Sequence, residues 1–158
     1  MMWPFSKSVR PAWFTDFVEA VAAFQAALPV HLQSELVRDG DYFELSIPAP
    51  TEWHRSVHLH GDSKGLEYHL GKVWTENLEP SPEVCRRLLA SLDAIQAGAV
   101  KEVQDVRTGV IYHVYKLRTR GFREFMQDSQ YTLWAWLNLK IRDVRIHTLP
   151  PLDQKSPA

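Results

Sequence analysis

The chain has little of several things, and each shortage closes a class of protein. It holds one cysteine, Cys85, so no intrachain disulfide forms and a disulfide-stapled secreted mini-protein is excluded. No stretch approaches the ~18 apolar residues of a membrane span. The opening apolar run, Met1 to Phe5, falls short of the about 7–15 residues of a signal-peptide core. The expectation is a cytoplasmic protein with no membrane association. An excess of charge is missing too: 18 Lys and Arg stand against 19 Asp and Glu, a formal charge of −1. Generic polyanion binders carry a clear basic excess, so nucleic acid is not expected as a partner. The familiar catalytic motifs are absent: no G-x-S-x-G, no P-loop, no G-x-G-x-x-G and no H-E-x-x-H.

What is present describes a globular chain. Its 158 residues are 45% apolar and 23% charged. A chain of this length buries roughly 70% of its extended surface, enough for one core. The expectation is a single α+β domain over residues 1–150, followed by a frayed tail at 151–158. Six Trp and seven His stand out.

Phe14, Phe17, Val21, Phe24 and Leu28 recur at steps of three and four, which predicts a helix from Pro11 to Leu28 stopped by Pro29. Ser81, Pro82 and Glu83 form an N-terminal signature for a second helix over 82–97. Its stripe is Val84, Leu88, Leu92 and Ile95, and Gly98 suits the position after its end. Cys85 neighbours that stripe and reads as a small buried hydrophobe.

Three hairpins are expected. Leu36–Arg38 and Tyr42–Ile47 flank Asp39-Gly40-Asp41, where Asp-Gly favours a tight turn. Ser56–His60 and Leu66–Leu70 flank Gly61–Gly65, and Val100–Val106 pairs with Val110–Leu117. A last strand covers Val144–Leu149. The run 131–141 fits a helix through Leu133, Trp134, Leu137 and Ile141, while strict alternation fits a strand; the helix is preferred. The expected architecture is an antiparallel sheet of about six or seven strands, with two or three helices mainly on one face.

The histidines concentrate in the second hairpin. With a two-residue turn at Ser63-Lys64, His60 stands opposite Glu67 and His58 opposite His69. Val57, Leu59, Leu66, Tyr68 and Leu70 then form the apolar face, and His58, His60, Glu67 and His69 gather on the other. Three imidazoles and a carboxylate suit Zn²⁺, with His54 and His113 as further donors if the fold brings them close. The competing reading is a solvated hairpin face that holds ordinary His–Glu pairs.

Charge is distributed unevenly. Residues 1–79 carry six Lys and Arg against eleven Asp and Glu, and residues 80–158 carry twelve against eight. Asp39, Asp41, Glu44, Asp62, Glu67 and Glu76 are candidates for an acidic face that steers a basic partner. Trp53, in a Pro-rich loop, reads as an interface anchor or as a lid over the sheet. Lys116, Arg118 and Arg120 share one strand face, a candidate nucleic-acid contact or a charged edge that discourages aggregation.

Residues 57–118 resemble small bacterial proteins, including immunity proteins of polymorphic toxin systems. The resemblance rests on Glu67-Tyr68-His69-Leu70-Gly71-Lys72-Val73-Trp74, the Leu-rich helix ending at Gly98 and the Val/Tyr-rich hairpin. It implies a cytoplasmic, non-catalytic α+β protein that binds and blocks a toxin; the acidic bias of residues 1–79 adds the expectation of a basic toxin domain, and no cofactor is expected. The alternative is a small metal-dependent enzyme or metal-binding protein built on the histidine hairpin.

Overall fold

The computed structural model describes residues 10–106, 109–117, 123–126 and 144–154. Helix α1 spans Ala12–Ala27 and buries Phe14, Phe17, Val18 and Val21. Pro11 stands at its N-cap, where its carbonyl accepts from the Phe14 and Thr15 amides. Leu28 turns extended and Pro29 cannot continue the helix. A short 3₁₀ turn at Val30–Leu32 leads into the strands.

The first sheet is a five-stranded antiparallel meander in chain order. It contains β1 (Glu35–Asp39), β2 (Tyr42–Ile47), β3 (Val57–Asp62), β4 (Gly65–Leu70) and β5 (Val73–Leu78). Its inner face is apolar: Phe43, Leu45, Ile47, Val57, Leu59, Leu66 and Tyr68 are fully buried. Period-two alternation therefore directs Tyr42, Glu44, Ser46, His58, His60, Glu67 and His69 to the opposite, outer face.

Helix α2 (Pro82–Gln96) starts as its sequence dictates, with the Ser81 hydroxyl accepting from the Val84 amide at 3.2 Å. It buries Cys85, Leu88, Leu92 and Ile95. Burial raises the Cys85 thiol to about 11, consistent with a packing role.

The second sheet is also antiparallel, in the order β8-β7-β6-β9. Its strands are β6 (Val100–Asp105), β7 (Ile111–Leu117), β8 (Arg123–Met126) and β9 (Val144–Leu149). One buried cluster joins α1, α2, the inner face of the first sheet, and Val100, Tyr115 and Leu149 of the second. The Tyr68 and Tyr115 hydroxyls meet 3.0 Å apart within it.

The α+β class and the antiparallel hairpins follow the sequence. The number of sheets does not: the described residues form nine strands in two sheets where one of six or seven is expected. The excess comes from β5 and β8, which lack dense apolar alternation. The tail expected at 151–158 also begins as packed chain. Leu152 is buried, its amide donates to the Gln96 carbonyl, and Pro151 lies against Gly98. The run 131–141 lies outside the described residues.

Candidate functional site

The β3–β4 hairpin has the register that its turn residues imply. Asp62 Oδ1 accepts from the Lys64 and Gly65 amides, closing a turn over Ser63-Lys64. His60 therefore pairs with Glu67, and His58 with His69. On the outer face Glu67 Oε2 lies 3.2 Å from His60 Nε2 and 3.6 Å from His69 Nε2. The His60 and His69 rings stack nearly parallel, with centroids 6.0 Å apart. One ligand atom from each of the three residues lies within 4.8 Å of the other two.

His58 departs from this group. Its side chain runs towards β2, where Nδ1 is 3.1 Å from Ser46 Oγ. His54 and His113 lie elsewhere. His54 is buried between Thr51 Oγ1 and the Pro151 carbonyl, so the ring ties the loop before β3 to the segment after β9. His113 is buried on β7 and its Nε2 donates to Glu102 at 3.0 Å.

The acidic candidates divide in the same way. Strand β1 continues the outer face with Glu35, Val37 and Asp39, because Val37 pairs with Glu44. Tyr42 and Val37 are exposed beside them. Burial, then the carboxylates of Glu44 and Glu67, push the Tyr42 phenol up. Asp41 is exposed in the β1–β2 turn. Asp62 is engaged in its own turn, and the side chain of Glu76 lies outside the described residues.

The described basic residues of the first half hold no strand position on this face. Arg38 pairs with Glu19 of α1, Arg55 reaches the second sheet, and Lys64 and Lys72 sit in turns. Among the described residues, no Lys or Arg occupies an outer-face position of β1–β4.

Trp53 is 43% exposed and does not belong to that face. Its ring centroid is 6.0 Å from that of His147 on β9, and its carbonyl accepts from His147 Nε2 at 3.2 Å. Arg118 and Arg120 lie outside the described residues. Lys116 is exposed on β7, and its amide donates to the Ala99 carbonyl.

One polar cluster escapes sequence reasoning. Arg55 forks onto Glu102, with Nε to Oε2 at 2.7 Å and Nη2 to Oε1 at 2.8 Å. Its Nη1 donates to the carbonyls of Glu52 and His54. Burial by itself raises the Glu102 carboxyl. The hydrogen bonds from His113 and Arg55, with their charges, outweigh it and hold the group at about 2. The cluster clamps the 48–56 loop to the second sheet. Arg55 and Glu102 are 47 residues apart and belong to no periodic pattern, so only packing reveals the pair.

No helix among the described residues is long and apolar enough to cross a membrane. No protein-family model matches the chain, and no curated protein or solved structure matches it either, so its own residues carry the functional argument.

Proposed function

We propose that this is a non-enzymatic binding protein of the cytoplasm, of the immunity type, which occludes a basic surface on a protein partner such as a toxin domain. The outer face of β1–β4 is the binding surface. The observation that carries this reading is the lack of Lys and Arg at its described positions, while Glu35, Asp39, Glu44 and Glu67 occupy them. An anionic face of this kind accelerates encounter with a cationic partner and rejects partners of like charge. Exposed Val37 and Tyr42 supply apolar contact beside the carboxylates.

Co-purification and calorimetric titration against the product of the adjacent gene test the reading. Binding is expected to weaken as salt rises. The double substitution Glu44→Lys, Glu67→Lys is expected to slow association by about tenfold or more. No binding, or binding indifferent to both salt and charge reversal, overturns it.

A further inference from the structure

The outer face also carries a chemistry that protein recognition does not require. We infer that His60, Glu67 and His69 form a transition-metal site, with Zn²⁺ as its natural occupant. The inference shares Glu67 with the partner-binding reading but rests on donor geometry within this chain, and it is tested with the metal alone and no partner.

Metal–ligand lengths of about 2.0–2.1 Å place neighbouring donors of a tetrahedral shell about 3.3 Å apart. The two nitrogen-to-oxygen separations here are 3.2 and 3.6 Å. All three donors lie within 4.8 Å of one another, a spacing that side-chain rotation on a fixed hairpin would have to tighten into one shell. The hairpin supplies the rigidity. Glu67 and His69 sit two residues apart on β4, and His60 sits directly across from Glu67 on β3. Leu59, Leu66 and Tyr68 anchor both strands from the buried face, which pins the register.

The donor set selects the metal class. Two imidazoles and one carboxylate suit Zn²⁺, Cu²⁺, Ni²⁺ and Co²⁺, whereas Mg²⁺ and Ca²⁺ require shells built from oxygen. One carboxylate leaves a divalent ion with a net positive charge, and Glu44, paired with His60 across β2 and β3, lies beside it to offset that charge. The three side chains are part-exposed, so the fourth position opens to solvent. A water or a donor from outside the chain completes the shell there.

Untagged protein, stripped with a chelator and titrated with Zn²⁺ alone, is the test. Calorimetry is expected to show one ion per chain, and Co²⁺ is expected to develop the visible bands of tetrahedral coordination. His60→Ala and His69→Ala are each expected to weaken Zn²⁺ binding by more than about tenfold, and Glu67→Gln to weaken it while preserving side-chain shape. His58→Ala is expected to bind as the parent does, since His58 is directed to Ser46. Circular dichroism checks that each variant is folded. Absence of stoichiometric binding, or binding retained in the folded His60→Ala, His69→Ala double variant, overturns the site. So does loss of binding on His58→Ala.

Discussion

Glu102 accepts two hydrogen bonds from Arg55 and one from His113 in a setting largely closed to water. Removing it leaves a part-buried guanidinium without its counter-charge, which costs about 3–5 kcal/mol. Glu102→Ala is expected to lower unfolding free energy by that amount in urea titration. The same carboxyl links stability to acid. Its folded pKa lies at about 2, below its ordinary 4.5, so its contribution is complete above about pH 4.5 and is lost as the pH falls towards 2. Glu102→Gln is expected to flatten that acid limb; an unchanged slope would assign the acid loss to other carboxylates. At this scale the histidine face was readable, because a turn and a period of two place His60, Glu67 and His69 together. The departure of His58 towards Ser46 was not, because it depends on a neighbouring strand.

Elements announce themselves where local chemistry is strong. The cap at Ser81, the Phe stripe of α1 and the Asp-Gly turn at Gly40 are each set by residues within a few positions of one another. Strand β5 lacks such a signal. It is entered through Gly71 in a left-handed turn and contains Asn77 at φ 35°. Its pairing with β4 shifts register between Leu66 and Tyr68. Glycine substitutions separate local from tertiary constraint. Gly40 and Gly98 both have positive φ, but a Cβ on Gly40 meets nothing within 4 Å, while one on Gly98 comes 2.6 Å from Pro151 Cδ. Gly98→Ala is expected to destabilise by more than about 1 kcal/mol, and Gly40→Ala by less than Gly98→Ala. Thermal melts of the two variants check the order; equal costs would mean that the contact with Pro151 contributes nothing.

Across the whole molecule, the near-zero formal charge conceals segregation. Among the described residues, Arg38 pairs with α1, Arg55 reaches the second sheet and Lys64 and Lys72 sit in turns, so the charged and titratable side chains on the outer face of β1–β4 are carboxylates and imidazoles. Pro151 and Leu152 belong to the fold as well. Leu152 is buried in the shared core, and the Pro151 carbonyl meets the buried His54 ring. Leu152→Ala is expected to cost about 2–5 kcal/mol, measured by urea denaturation, as for other buried leucines. A cost near zero would mean that Leu152 contributes nothing to the core.

The amino-acid order by itself determined the α+β class, the two helices, the hairpins and the register of β3 on β4. These depend on periodicity, capping and turn conformation, which act between residues close in the chain. Tertiary structure alone decided that the hairpins divide into two sheets, that Arg55 meets Glu102 and His113, and that His54 holds Pro151. Those contacts join residues far apart in sequence. Their energies come from burial and charge pairing in a shared core, and no local pattern encodes them.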